Sequence, residues 1–231
     1  MIFRQFFDTV SSTYTYLVAD PDGHEACLID PVIDHVPDYV QWIGECGLCL
    51  IYAIDTHTHA DHVTGAGRLR DFTDCATAIG HESPAECVTI KIQDGDTIRI
   101  GSIRLRAIHT PGHTDDSYSF LLPDRVFTGD TLLIRGSGRT DFQNGDAYQA
   151  YDSLFNKLLR LPDATRVYPA HDYRGWTMST IGEERLHNPR LQVRSAEEYA
   201  ALMAALKLPT PKLMDVAIPA NWACGESRRN A

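Results

Sequence analysis

Hydrophobic residues in this chain occur mostly in short runs that are separated by turn-forming residues. Alternating apolar and polar residues are typical of a half-buried strand, and a continuous apolar run such as Cys49–Ile54 is typical of a strand buried on both faces. Two-residue connections at Gly101-Ser102 and Pro123-Asp124 predict hairpins. The pattern predicts nine strands, at residues 1–7, 14–18, 25–30, 49–54, 97–100, 103–108, 117–122, 125–128 and 166–168.

Five further segments carry apolar residues at intervals of three and four, which is the spacing of one helix face. They predict helices at residues 36–45, 66–72, 147–161, 181–186 and 196–206. Pro209-Thr210-Pro211 ends this pattern before a short tail. Because the chain has no repeats and no linker-like segment, we expect one α/β domain over residues 1–231 with a short C-terminal extension.

Composition narrows the classes of function. The chain has 21 Lys and Arg against 31 Asp and Glu, a net charge of −10, which argues against a broad basic surface for nucleic acid or an anionic membrane. No segment approaches the roughly 20 apolar residues of a membrane helix, and the N-terminus lacks the pattern of a signal peptide, so we expect a cytoplasmic protein. Ten histidines are a first indication of metal chemistry.

The cysteines do not have the spacing of a disulfide framework. Cys46 and Cys49 form a C-x-x-C pair, but they follow a predicted helix instead of opening one, so we expect ordinary buried thiols. Cys224 lies in the tail and is expected to be exposed and oxidisable.

The densest group of potential metal ligands follows the predicted strand 49–54. His57, His59, Asp61 and His62 fall within six positions, and imidazole and carboxylate are the usual ligands of zinc and iron. A polar loop with solvated histidines is the alternative, and it is disfavoured by this density.

Three more potential ligands, His113, Asp130 and His171, each follow the end of another predicted strand. Each one alone is typical of an ordinary turn. All three lie at strand ends, where protein folds commonly place functional loops. The three together are therefore stronger evidence for a metal site than any one of them alone.

The ordered set H-x-H-x-D-H, G-H-T, G-D-T and a final His resembles the metallo-β-lactamase superfamily. The resemblance implies an αββα sandwich of two mixed β-sheets flanked by helices, with metal at one edge of the sheets. The segments 138–143 (GRTDFQ), 170–173 (AHDY) and 216–221 (VAIPAN) are similar to the persulfide dioxygenase group within that superfamily. This second resemblance spans nearly the whole chain. The group lacks the longer helical C-terminal domain of the related glyoxalase II enzymes, and we expect the same shorter form here.

The resemblance to persulfide dioxygenases implies one Fe(II) per chain, with His57, His113 and Asp130 as its ligands and catalytic residues. It leaves His59, Asp61, His62 and His171 around these ligands, where they would orient them and shape the pocket. The implied reaction converts glutathione persulfide, O₂ and water to sulfite and glutathione. The resemblance also suggests a homodimer.

Glutathione carries two carboxylates, so an acidic protein needs local positive charge to bind it. Arg139, Tyr173 and Arg190 match the positions that hold glutathione in this group. Without the resemblance, Arg139 would be assigned to an ion pair with Asp141, and Arg190 to a surface charge at a helix end.

Two other functions are consistent with the same residues. All ligands of a dinuclear hydrolase are retained, so a dinuclear zinc, glyoxalase II-like hydrolase of hydroxyacylglutathione thioesters is the main alternative. A non-catalytic sulfur carrier or sensor that uses Cys46, Cys49 or Cys224 is a third, which a complete ligand set disfavours.

Overall fold

The computed structural model describes residues 1–211 and 213–225. Two mixed β-sheets carry the fold, and helices flank them. Within the described ranges, no helix combines the length and the apolar character that crossing a membrane requires. The first sheet has the order β1-β2-β3-β4-β5-β6 and the second β12-β11-β10-β9-β8-β7.

The bounds of the regular elements follow the predicted pattern closely. The strands are Ile2–Asp8 (β1), Thr13–Ala19 (β2), Glu25–Ile29 (β3), Cys49–Ile54 (β4), Ala76–Gly80 (β5), Ile90–Ile92 (β6), Thr97–Ile100 (β7), Ile103–His109 (β8), Tyr118–Leu122 (β9), Arg125–Gly129 (β10), Arg166–Pro169 (β11) and Ser179–Thr180 (β12). The α-helices are Val36–Glu45 (α1), Ala66–Thr73 (α2), Ala147–Asp152 (α3), Ile181–His187 (α4), Ala196–Ala204 (α5) and Met214–Asn221 (α6).

All nine predicted strands and all five predicted helices are present, and the described residues contain three strands and one α-helix that were not predicted. Strands β5, β6 and β12 are short, and β5 is rich in alanine and glycine, which have low strand propensity. Helix α6 contains Pro219 inside it, a residue that normally argues against a helix. The predicted helix 147–161 is irregular, because α3 continues as a π-helix over Ser153–Lys157 and a 3₁₀-helix over Leu158–Arg160.

The chain divides into two compact units that are interleaved in sequence. The first comprises Met1–Ile92, Thr97–Leu105 and the chain from Thr210 on, and the second comprises Gln93–Asp96 and Arg106–Pro209. In the first unit, the buried faces of α1 and α2 pack with Leu17 and Leu28. In the second, Leu154 packs with Val126 and with Tyr199 of α5. The assignment of residues 1–231 to a single domain stays a prediction.

The cysteine predictions are wrong at three positions. Cys224 is buried and forms a disulfide with Cys87, 137 residues away in sequence. Sequence spacing could not show this pair, because only folding brings the C-terminal turn against the loop before β6. Cys46 and Cys49 are exposed, since Cys46 ends α1 and Cys49 opens β4, where side chains lie outside the core.

Candidate metal centre

The loop of residues 55–64, here called the histidine loop, follows β4 in the first unit. β4 pairs in parallel with β3 on one side and β5 on the other, so the loop leaves the carboxyl edge of a buried parallel segment. His57, His59 and His62 are all buried, with exposed fractions of 2%, 1% and 3%. Buried imidazoles need hydrogen-bond partners, and the surrounding residues supply them.

Asp30, the residue after β3, organises the start of the histidine loop. Its carboxylate accepts hydrogen bonds from the backbone N–H of Thr56 at 2.6 Å and from Thr56 Oγ1 at 3.0 Å. The same carboxylate lies 3.0 Å from Nε2 of His59. Burial raises the pKa of Asp30, while the nearby His57 and the Thr56 hydrogen bonds act in the opposite direction. Asp30 was not among the predicted site residues, and its position at the end of a predicted strand was the available signal.

These contacts select which imidazole nitrogen of each histidine stays open to a metal. Thr56 Oγ1 donates its proton to Asp30, so it accepts from Nδ1–H of His57 at 3.0 Å, which directs Nε2 of His57 to a metal. Nε2–H of His59 donates to Asp30, which leaves Nδ1 of His59 as a lone-pair donor.

The other end of the histidine loop forms a second group of ligand atoms. His59, Asp61 and His62 each offer one atom, and these atoms lie within 4.8 Å of one another. Nδ1 of His62 lies 3.0 Å from Oδ2 of Asp61, which also accepts a hydrogen bond from Thr13 Oγ1 at 3.1 Å. The side chains of His59, Asp61 and His62 are therefore close enough together to bind a cation.

The second unit brings His113, Asp130 and His171 together. Nε2 of His113 lies 3.5 Å from Oδ2 of Asp130, and Nε2 of His171 lies 3.6 Å from Oδ1 of the same carboxylate. Nδ1–H of His113 donates to the carbonyl of Arg139 at 2.8 Å, so Nε2 of His113 is the nitrogen that faces Asp130 as a lone-pair donor.

Gly138 allows this close approach of ligands in the second unit. Its backbone N–H donates to the carbonyl of Asp130 at 2.6 Å. A Cβ at this position would lie 2.4 Å from that carbonyl oxygen and 2.8 Å from the ring of His113. Gly138 was not predicted as a site residue, although it lies in the segment 138–143 that carries the family resemblance.

The surroundings of the Asp130 side chain are those expected of a metal ligand. Its Oδ1 atom is buried and accepts no hydrogen bond from the part of the chain that the structure describes. An orphaned buried carboxylate oxygen is costly unless a cation satisfies it. Imidazole nitrogens at 3.5 and 3.6 Å on either side complete a donor set that suits zinc or iron.

The three predicted glutathione contacts differ in their surroundings. The Arg139 guanidinium makes two hydrogen bonds to the Asp141 carboxylate, at 2.6 and 2.8 Å, so the ion pair weighed as the alternative is present. Tyr173 is 73% exposed and its ring stacks on His171. Asp172, the neighbour of Tyr173, accepts backbone hydrogen bonds from Arg174 and Trp176 in the loop that follows it.

Arg190 is half-buried and has no carboxylate partner among residues 1–211 and 213–225. One of its Nη1 hydrogens is donated to the carbonyl of Ser137. Burial lowers the pKa of its guanidinium, and the nearby Tyr199 and Asp130 oppose that shift. Of the two predicted arginines, Arg190 therefore has the charge that a bound anion could pair with.

Comparison with known proteins identifies the family of this chain. Residues 8–171 match the model of the metallo-β-lactamase superfamily. Human mitochondrial persulfide dioxygenase ETHE1 is 48% identical over 228 residues, which cover 97% of this chain and 89% of the human protein. The crystal structure of ETHE1 from Myxococcus xanthus is 52% identical, with a TM-score of 0.96, and covers 98% of this chain and 100% of that chain.

A more distant solved structure extends the same comparison. A metallo-β-lactamase from Staphylococcus aureus subsp. aureus COL is 28% identical with a TM-score of 0.89, and the match covers 96% of this chain and 71% of that chain. The chain belongs to the metallo-β-lactamase superfamily and, within it, to the family of the persulfide dioxygenase ETHE1. The predicted fold class and family are thereby confirmed, and the His/Asp set is that of a metal-binding protein.

Proposed function

We propose that this chain is a persulfide dioxygenase that oxidises glutathione persulfide with O₂ at one Fe(II). The proposed reaction is glutathione persulfide plus O₂ plus water giving glutathione, sulfite and two protons, which balances in atoms and charge. The observation that carries the proposal is the identity of 48% with the human persulfide dioxygenase over 97% of this chain, together with retention of every predicted ligand.

For the metal, we propose His57, His113 and Asp130 as ligands. Two imidazoles and one carboxylate are the donor set of non-haem iron oxygenases, and they leave coordination positions for substrate and O₂. Bound iron supplies the redox chemistry that joins O₂ to the persulfide sulfur. The chain's own contribution is to hold each ligand: Thr56 fixes the ring of His57, and the Arg139 carbonyl fixes the ring of His113.

The glutathione part of the substrate needs a cation, and we propose that Arg190 binds one of its carboxylates. A guanidinium can bind a carboxylate through two parallel hydrogen bonds. Tyr173 and Arg139 remain proposed contacts, with Arg139 already oriented by Asp141. A homodimer and a cytoplasmic location stay predictions; the human relative is named as a mitochondrial protein.

Oxygen consumption by the iron-loaded protein tests the function directly. With glutathione persulfide under air, we expect one O₂ consumed per sulfite formed and about one iron per chain. The matched control substrate is a hydroxyacylglutathione thioester, which we expect to remain intact.

A second candidate function rests on the ligand atoms of His59, Asp61 and His62, which lie within 4.8 Å of one another. They could hold a second metal, as a dinuclear thioester hydrolase of the glyoxalase II kind requires. Two zinc ions per chain, hydrolysis of the thioester and no O₂ consumption would establish this function and refute the dioxygenase.

Replacing Arg190 with alanine is expected to raise KM for glutathione persulfide about 10- to 100-fold with little change in kcat, since a hydrogen bond to a charged group contributes about 1.5–3 kcal/mol. The reason is that binding shared by the ground and transition states changes KM alone. Steady-state O₂ consumption measures both constants. Arg166→Ala, which removes an exposed arginine at the start of β11, is the control and should leave them unchanged. A fall in kcat at constant KM would contradict the binding role of Arg190.

A further inference from the structure

The side chain of Asn221, at the end of α6, makes three hydrogen bonds to the backbone of the histidine loop. Its Nδ2 donates to the carbonyl of His59 at 2.8 Å and to that of His62 at 3.0 Å. Its Oδ1 accepts from the backbone N–H of Thr64 at 2.8 Å. Asn221 is 6% exposed, so both amide hydrogens and the amide oxygen are used inside the protein.

These bonds fall in an irregular segment of backbone. The histidine loop has no helix and no strand, and its regular backbone pairing is the single bridge between Thr64 and Val32, so side chains help to satisfy its buried carbonyls. The two carbonyls that Asn221 binds belong to His59 and His62, which flank Asp61 in the ligand motif. The position of the Asn221 amide therefore sets the backbone from which His59, Asp61 and His62 project, the three side chains expected to surround the proposed ligands.

The turn after α6 is fixed tightly enough to hold Asn221 in place. Cys224 is bonded to Cys87, and its carbonyl accepts a hydrogen bond from the N–H of Gly67 at 3.1 Å. A Cβ at Gly67 would lie 2.4 Å from that carbonyl oxygen, and a Cβ at Gly225 would lie 2.1 Å from the carbonyl oxygen of Thr64. At Gly67 and at Gly225 the backbone of one segment therefore lies directly against that of another, so α6 has little freedom to shift.

We propose that Asn221 is a positioning residue for metal binding, which acts by holding the carbonyls of His59 and His62 and the N–H of Thr64. The proposal rests on the proposed metal chemistry of this chain. It assigns a role in the metal centre to a residue about 160 positions away in sequence, within a segment that the sequence analysis used only for its family resemblance.

Asn221→Ala is expected to weaken Fe(II) affinity about 10- to 100-fold, the usual effect of removing a residue that supports a metal site from outside its ligand set. Competition with a chelator measures the affinity, and the electron paramagnetic resonance spectrum of the Fe(II)–nitric oxide adduct reports the ligand geometry, which we expect to change. Asn221→Asp has nearly the same volume and keeps the acceptor for Thr64, but it sets an oxygen against two carbonyls. It should bind iron at least as weakly, and it keeps the test decisive if the alanine variant does not fold.

Ala217→Gly is the matched control, because Ala217 is a buried residue of the same helix and glycine is a weaker helix former than alanine. This variant keeps Asn221 and should retain the affinity and the spectrum of the unmodified protein. Unchanged affinity and spectrum in both Asn221 variants would overturn the proposal. The proposed function is tested separately: it would be refuted if the unmodified protein bound metal but consumed no O₂.

Discussion

Replacing Asp130 with alanine is expected to remove iron from the protein and to lower O₂ consumption with glutathione persulfide by more than about a hundredfold. Loss of a group that merely supports a metal ligand costs about 10- to 100-fold, and Asp130 is proposed as a ligand itself. In the second unit its carboxylate lies between His113 and His171, at 3.5 and 3.6 Å. Metal analysis after dialysis and an oxygen electrode measure the two effects.

Asp124→Ala is the control for the Asp130 variant. Asp124 precedes β10, whereas Asp130 follows it, and its carboxylate pairs with Arg125 and Arg166. Asp124 is half-exposed and Arg125 is buried, and both lie at the opposite end of β10 from Asp130, so iron content and O₂ consumption should not change. An Asp130→Ala protein that retains full iron and activity would show that the proposed ligand set is wrong.

Gly138→Ala is expected to reduce iron affinity and O₂ consumption about 10- to 100-fold, although it adds only one methyl group. The new Cβ would lie 2.4 Å from the Asp130 carbonyl oxygen and 2.8 Å from the His113 ring, so the backbone must move. That movement breaks the hydrogen bond from Gly138 to Asp130 and disturbs the carbonyl of Arg139 that orients His113. Both proposed ligands of the second unit are affected together.

Gly136→Ala is the matched control two residues earlier in the same segment. A Cβ at Gly136 has the side chain of Leu133 at 3.7 Å as its nearest neighbour, an ordinary van der Waals contact. The variant is expected to keep iron and activity, with stability within about 0.5 kcal/mol. Equal behaviour of the two alanine variants would contradict the steric argument at Gly138.

Most strands and helices were predicted correctly from the sequence because the patterns that mark them are local. Alternation predicted the strands and three- to four-residue spacing predicted the helices, so β1–β4 and α1 were found within one or two residues of their observed bounds. Where local preference and burial disagree, prediction failed: the alanine-rich strand β5 and the proline-containing helix α6 are held in place by their neighbours. The density of ligands in residues 57–62 likewise marked the metal loop without any structure.

Only the tertiary structure decided the groups that hold those ligands. Asp30 supports Thr56 and His59 because β3 lies beside β4 in the sheet, and Asn221 reaches the histidine loop because α6 returns to it from the end of the chain. The Cys87–Cys224 disulfide and the space that Gly138 leaves for His113 have the same origin. Short sequence motifs identify the metal ligands. The orientation of those ligands depends on hydrogen bonds and steric contacts between segments far apart in sequence, and local patterns do not predict such contacts.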